Sequence, residues 1–323
     1  MRPRLIIVTG ATAAGKSAFI YEHLQNLPLT VINADSRQVY RDITIASASP
    51  TSGDLQKFPH ALYNFLPVTE TFSAGEFMRQ AKTEIAKAHA AGRIPLICGG
   101  TYFYLHALLY GLLPSVEIPD EVRERVEALS GPEAYAELMQ CDAVAARQNH
   151  PHNVSRVQRA LMLCHAHRGP ISALQKTGGI AEDFEILMLV FDSERTVLRE
   201  RIRHRVDAML AAGLVGEIQG LMTQGDLNAW RQVPALTGIG IREFIETYES
   251  MGKYPTELSG DDLAHVRDLI CQNSIHLVKR QQTWYRNARP QPANTKTVDP
   301  SYENGLIAAL VKDFVSFTEN DQK

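Results

Sequence analysis

At 323 residues, 45% of them hydrophobic and 21% charged, the chain has the composition of a soluble globular enzyme and the length for two domains, or for one core with a large insertion. A net charge of −3 gives no global signature of a nucleic-acid binder, so any such role must come from local patches. No apolar run reaches the roughly 18 residues of a membrane span, and no signal-peptide segment follows Met1-Arg2-Pro3-Arg4. Cys98, Cys141, Cys164 and Cys271 are scattered, which argues against a zinc site or a disulfide framework; the expectation is a cytoplasmic protein that meets no membrane.

The first predicted element is the apolar run Leu5-Ile6-Ile7-Val8, suited to a buried parallel strand. Behind it, Gly10-Ala11-Thr12-Ala13-Ala14-Gly15-Lys16-Ser17 fits G-x-x-x-x-G-K-[ST], the phosphate-binding loop. Phe19, Ile20, Leu24 and Leu27 then recur at helical spacing until Pro28. Strand, Gly-rich turn and helix bring backbone N–H groups and a helix N-terminus onto one anionic group. Lys16 is the candidate point charge for a terminal phosphate and Ser17 the candidate hydroxyl for Mg²⁺. A turn that binds nothing is the alternative, and the motif alone leaves open whether the phosphate is that of ATP, GTP or another ligand.

A second strand, Thr30 to Asn33, delivers Asp35 beyond its carboxyl end, where open α/β sheets bind ligands. Capping of the following segment is the other role open to Asp35. Thr44 to Pro59 is predicted as a loop. Ser73-Ala74-Gly75-Glu76 has the capping-box form, and Phe77, Ala81, Ile85 and Ala88 mark one helix face ending near Gly92. Ile94 to Cys98 is the third strand candidate, followed by Gly99-Gly100-Thr101. The alternation predicts an α/β fold with a parallel, doubly wound sheet, and Thr101 on the same rim as Asp35 and Lys16. Tyr102, Phe103 and Tyr104 open the next helix, with at least two of them expected in the core.

Leu113 to Pro119 reads as a boundary, and the pattern beyond it is helical until Phe184 to Phe191 resumes the sheet. Residues 115–183 are therefore expected as an inserted helical domain within a core of 1–114 and 184–323. From Ala143 to Ala181 the sequence holds no Asp or Glu, against Arg147, Arg156, Arg159, Arg168 and Lys176. An acid-free basic stretch on helices suits a polyanion; a solvated face is the alternative, and His150, His152, His165 and His167 lack the carboxylate or cysteine of a metal site. Arg195, Arg199, Arg201, Arg203 and Arg205 crowd the next helix, where i,i+4 pairs with its acids are expected. A turn from Pro234 to Gly240 leads to Arg242-Glu243, and a long helix runs from about Leu263 to Trp284. Lys279, Arg280, Trp284, Tyr285, Arg286 and Arg289 interleave cations with aromatics, as in nucleic-acid contact; a cation-complemented helix end with its aromatics in the core fits as well. The tail beyond Pro290 is expected to be loosely ordered until a helix from Leu306 to Phe317.

The motif set resembles the bacterial tRNA dimethylallyltransferases, also called isopentenyl-pyrophosphate:tRNA transferases. Beside the phosphate loop, Asp35-Ser36-Arg37-Gln38-Val39-Tyr40-Arg41 is similar to the family's D-S-x-Q-V-Y-R, and Phe72-Ser73-Ala74-Gly75-Glu76-Phe77 to its Y-S-A-x-x-F. Gly99-Gly100-Thr101-Tyr102-Phe103-Tyr104-Leu105 is similar to G-G-T-x-x-Y-L; Arg205 to Leu210 with Gly213-Leu214, and Lys279-Arg280-Gln281 with Thr283-Trp284, match two further signatures. Departures are Asp42 to Pro50, which lacks a lysine and two glycines usual in the family, and Tyr102, Val154, Ile241 and Ile275, where glycine, aspartate, tyrosine and arginine are usual.

The resemblance implies a P-loop NTPase-like core with helices on both faces. It also implies transfer of a dimethylallyl group from dimethylallyl diphosphate to N6 of the tRNA adenosine immediately 3′ of an anticodon ending in A. On that reading Gly10 to Ser17 (Gly10, Ala11, Thr12, Ala13, Ala14, Gly15, Lys16 and Ser17) hold the diphosphate with Mg²⁺, and Asp35, Thr101 and Lys16 are catalytic, Asp35 as the base. Contacts to the tRNA anticodon stem-loop are implied at Asp35, Ser36, Arg37, Gln38, Thr101 and Arg123. They are implied also at Ser155, Arg156, Val157, Gln158 and Arg159, and at Arg242, Lys279 and Arg280, in a monomer. Rival readings are a P-loop kinase for a nucleoside or small molecule, an RNA-binding relative without catalysis, and a transferase acting on free AMP.

Overall fold

The computed structural model describes residues 2–223, 233–288 and 290–316. Strands β1 (Arg4–Gly10), β2 (Leu29–Asn33), β3 (His60–Ala61), β4 (Ile94–Cys98), β5 (Glu185–Phe191) and β6 (Thr295–Val298) form one sheet in the order β3-β2-β4-β1-β5-β6. Every pairing is parallel. The sheet follows from the sequence: β1, β2 and β4 are buried along their whole length, which only a sheet covered on both faces allows. The register sets Val8 beside Cys98, Asn33 beside Cys98 and Gly10 beside Phe191, so the carboxyl ends of four strands share one rim.

Helices in chain order are α1 (Lys16–His23), α2 (Ser52–Leu55), α3 (Ala74–Ala90), α4 (Tyr102–Tyr110), α5 (Asp120–Glu127), α6 (Gly131–Cys141), α7 (Ala143–Gln148) and α8 (Val154–His167). After β5 come α9 (Arg195–Ala211), α10 (Leu214–Met222), α11 (Arg242–Met251), α12 (Gly260–Asn287) and α13 (Asn304–Ser316). The capping box at Ser73 forms as its pattern requires: Ser73 Oγ accepts from the Glu76 N–H (3.1 Å) and Glu76 Oε2 from the Ser73 N–H (2.8 Å). Phe77, Ala81, Ile85 and Ala88 are all buried on the inner face of α3.

Four expectations change. The stretch from Thr44 to Pro59 contains the short α2, capped by Thr51, and β3 follows it. The tail beyond Pro290 is not loose: Thr295–Val298 adds to the sheet edge beside β5, too short and too polar to read as a strand by pattern. Of the three aromatics opening α4, Tyr104 alone is buried, stacked on Phe77 at 4.5 Å, while Phe103 is 56% exposed. Asp207 of α9 pairs not along its own helix but with Arg267 of α12.

The chain divides into two compact units, Met1–Leu109 with Ile180–Lys323, and Tyr110–Gly179. The second unit starts a few residues before 115 and ends a few before 183 because Leu112 pairs antiparallel with Thr177, and Gly111, at φ +78°, brings the backbone against the Thr177 carbonyl. Its own core joins Val126, Leu138, Ala146, Val157 and Leu161.

Candidate active site

The turn after β1 is built on its two glycines. A Cβ on Gly10 (φ +131°) would lie 2.1 Å from the Phe191 carbonyl oxygen, so only glycine lets β1 and β5 end side by side. Gly15 (φ +91°) turns the chain into α1. Lys16 Nζ reaches back over the loop and donates to the carbonyls of Gly10 (3.1 Å) and Ala11 (2.8 Å). Burial lowers the Lys16 pKa, the Cys98 thiol and the Asp35 carboxylate oppose the shift, and the Arg205 guanidinium adds to it. Burial likewise raises the Cys98 thiol to about 11, with Lys16 and the Ser17 hydroxyl opposing the shift and Asp35 adding to it.

Beyond β2, Asn33 holds the turn that carries Asp35. Its Oδ1 accepts from the Asp35 N–H (2.7 Å), and its Nδ2 donates to the carbonyls of Asp35 (3.0 Å) and Leu62 (2.9 Å). Asp35 Oδ1 accepts from the Arg37 N–H (2.9 Å), so the carboxylate does cap its own turn. The Thr101 hydroxyl accepts from the Ser36 N–H (2.9 Å) and donates to Ser36 Oγ (3.3 Å), tying the turn after β4 to the turn after β2. Gly99 permits that approach, because a Cβ there would meet the Ala34 backbone at 2.1 Å. Lys16, Asp35 and Thr101 thus share one rim.

Several further residues hold this rim, and although Gln281 and Arg205 fall in quoted signatures, those signatures do not show what they touch. Gln281 of α12 accepts from the Thr12 N–H (2.8 Å) and donates to the Gly100 carbonyl (3.1 Å), bridging the phosphate loop and the turn after β4. Tyr285, one turn further, bonds the Thr9 hydroxyl (2.6 Å) and the Gly100 carbonyl (3.3 Å). Arg205 of α9 is a second cation here: burial lowers its pKa, and Asp35 opposes that shift. The consecutive glycines at 99 and 100 were the one visible sign of a close approach.

The divergent segment after Tyr40 is firmly held. Glu217 accepts from the N–H groups of Ile45 and Ala46, both at 2.8 Å, Gln38 donates to the Ala48 carbonyl (2.8 Å), and Arg205 to that of Ser47 (3.4 Å). Arg37 donates to the carbonyls of Pro234 and Ala235. The buried Glu243 accepts from the Gly240 N–H (2.8 Å), Asn273 (2.7 Å) and Arg242 (3.2 Å), which fixes Arg242 at the start of α11.

Among the described residues no group of three His, Cys, Asp or Glu side chains forms a metal site. The Ser17 hydroxyl, in the first turn of α1 directly after the phosphate loop, is a side-chain oxygen of the kind an Mg²⁺ would take there, since that ion keeps several waters and needs few protein ligands.

The remaining expected RNA contacts lie on helix surfaces. Lys279 and Arg280 are exposed on α12, and Arg123, Ser155, Arg156 and Arg159 on α5 and α8. Gln158 is half-buried and donates to the carbonyls of Val126 (3.3 Å) and Leu129 (3.2 Å). Val157 is a correction: it is fully buried in the helical core and offers no side-chain surface. The acid-free window is also not acid-free in space, because Glu137 of α6 bonds His165 (2.7 Å) and Arg125 (2.6 Å). The aromatics near the end of α12 divide, Tyr285 in the core and Trp284 40% exposed; Arg289 lies outside the described residues.

Residues 38–288 match the family described as IPP transferase. The chain is 38% identical to a tRNA dimethylallyltransferase of Trichlorobacter lovleyi, over 89% of this chain and 92% of that protein. Its fold is similar to the crystal structure of the full-length tRNA isopentenylpyrophosphate transferase of Bacillus halodurans, with a TM-score of 0.67 and 27% identity over 99% of both chains. A eukaryotic dimethylallyltransferase solved acting on tRNA has the same fold, with a TM-score of 0.78 over 97% of this chain and 80% of that one at 24% identity.

Proposed function

The chain belongs to the IPP transferase family, and from that premise we propose that it transfers the dimethylallyl group of dimethylallyl diphosphate to N6 of a tRNA adenosine, the one immediately 3′ of an anticodon ending in A. The observation that carries this reading is the shared rim: Lys16, Asp35 and Arg205 lie within one another's electrostatic reach, and Thr101 is bonded to the residue after Asp35.

In the proposed reaction the allylic C–O bond breaks, the N6–C bond forms, one proton leaves N6 and diphosphate departs. Negative charge grows on the diphosphate as its bond to carbon lengthens. Lys16 and the loop amides then stabilise the transition state more than the ground state. The Ser17 hydroxyl would help hold an Mg²⁺, which when bound would add positive charge beside the leaving diphosphate. The exocyclic amine of adenine is a weak nucleophile, so Asp35 takes its proton as the new bond forms. Thr101 orients the adenine edge, and the target base, ordinarily stacked in the anticodon loop, is flipped out to reach it. The exposed cations of α8 and α12 serve the tRNA backbone. No helix among the described residues is long and apolar enough to cross a membrane, and the proposed setting is the cytoplasm, with the enzyme acting as a monomer.

The test is to incubate tRNA with the protein, dimethylallyl diphosphate and Mg²⁺ without ATP, then digest the RNA and weigh its nucleosides. One adenosine carrying a dimethylallyl group, with diphosphate released in equal amount, is the expected result. A requirement for ATP would give the site to a kinase, and modification of free AMP instead of tRNA would refute the RNA substrate.

A further inference from the structure

Beside the rim, α4 and α12 enclose an open cleft of about 410 Å³ lined by Tyr102, His106, Thr283, Trp284, Asn287 and Ala288. Its walls are aromatic. The Tyr102 ring lies 5.1 Å from the Trp284 ring and 5.8 Å from that of His106, and Tyr285 meets it edge-on at 5.8 Å. Trp284 is 40% exposed, although an indole usually gains by burial. Lys279, Arg280 and Arg286 are exposed on the same helix, and no acidic residue occurs among residues 279–288.

We infer that this cleft holds the base of a nucleotide flanking the target adenosine, stacked on Tyr102 and Trp284. The inference rests on the RNA reading proposed above and adds a second base site to it. Three observations select a nucleobase. Tyr102 directly follows Thr101, so a base here lies next to the one that Thr101 orients. The cleft has aromatic walls, and the helix that forms one of them carries exposed cations and no acid over residues 279–288, the pairing that single-stranded nucleic acid uses. Gln281 and Tyr285 both bond the Gly100 carbonyl, and through Thr12 and Thr9 they fill the side toward the phosphate loop. That closure disfavours the prenyl tail of the diphosphate substrate as the occupant. Since Tyr102 stands where glycine is usual in the family, the stacking wall is a feature of this chain's own sequence.

The test uses an anticodon stem-loop RNA in which 2-aminopurine replaces the base on one side or the other of the target adenosine. With the full-length protein, fluorescence of one of the two labels is expected to fall severalfold on binding. Tyr102→Gly combined with Trp284→Ala should abolish that quenching and raise KM for the RNA by about 5- to 100-fold with kcat little changed. Tyr102→Phe, which keeps the ring, should retain both. Thr283→Trp fills the cleft from an exposed position without removing any core atom, and it should exclude the label. RNA that binds and is modified with neither label quenched would overturn the inference and leave the proposed function standing. So would a double variant that quenches normally but changes its preference between dimethylallyl and geranyl diphosphate, since the cleft would then hold the prenyl chain. A wild-type protein that binds no stem-loop at all overturns both.

Discussion

At the rim of the sheet, Lys16, Asp35, Arg37, Thr101 and Gln281 each bond loop backbone at a defined distance, and glycines stand where a Cβ would collide. In the helical unit Tyr110–Gly179, Arg147, Arg156, Arg159 and Arg168 instead stand exposed on a core of their own. Bond-breaking chemistry needs donors and a base held to within a fraction of an ångström. Binding a polyanion needs positive charge within reach of phosphates and tolerates the mobility of long side chains. The two regions should therefore answer differently to substitution, by loss of rate at the rim and by loss of salt-sensitive affinity in the helical unit.

The largest effect is expected from Asp35→Asn, which keeps the shape and the hydrogen bond to the Arg37 N–H but cannot accept the proton. Turnover should fall by about 10²–10⁴-fold with the affinities of both substrates nearly unchanged. Recovery on raising Mg²⁺ would demote Asp35 from base to organiser of the ion. Lys16→Ala follows, with a loss of roughly 10²–10³-fold for a donor aimed at developing charge, while filter retention of tRNA stays at the wild-type level. If either variant lost tRNA affinity in proportion to rate, the division of labour between rim and helices would collapse.

The rim was legible because each of its turns follows an apolar run: Leu5 to Val8 announces the phosphate loop, and Ile94 to Cys98 announces Gly99-Gly100-Thr101. What fixes those turns was not legible. Gln281 reaches Thr12 across 269 positions and Tyr285 reaches Thr9 across 276, and no local pattern encodes such a partnership. Edge strands were missed for a related reason: β3 has two residues and β6 four, and their pairing is decided by the neighbour they meet. In the helical unit composition disclosed the charge but not the faces. Val157 sits in the same run as Arg156 and Arg159 yet points into the core, and Glu137 enters the basic window from another helix.

A smaller effect is expected from Arg156→Glu with Arg159→Glu. Each lost phosphate contact removes about 0.9 from the slope of log affinity against log salt, so tRNA affinity should fall roughly 10- to 100-fold at low salt and much less at high salt. KM for dimethylallyl diphosphate should not move. An unchanged tRNA affinity would remove the helical unit from the RNA surface and leave α12 as its only basic element under test.

The smallest effect probes the same surface with the opposite sign. Glu137 reaches the basic window from another helix, held by Arg125 and His165. Glu137→Gln removes one negative charge and keeps the shape, so tRNA affinity should rise about two- to threefold at low salt, with no gain once salt screens the charge. Stability should fall slightly, by no more than about 1 kcal/mol for an ion pair near the surface. Partial burial pushes the Glu137 carboxyl up, but hydrogen bonds from Arg125 and His165 more than offset that and leave it below its ordinary value. A carboxylate with a depressed folded-state pKa contributes stability above its unfolded pKa and loses it as pH falls through the folded one. Wild type should therefore lose a small increment of stability below about pH 4.5, and Glu137→Gln should lack that increment when both are melted across the range. If the variant instead bound tRNA as weakly as the double charge reversal does, Arg125 and His165 would need Glu137 to hold them in place. The helical unit would then be a positioned site like the rim, and the contrast between the two regions would fail.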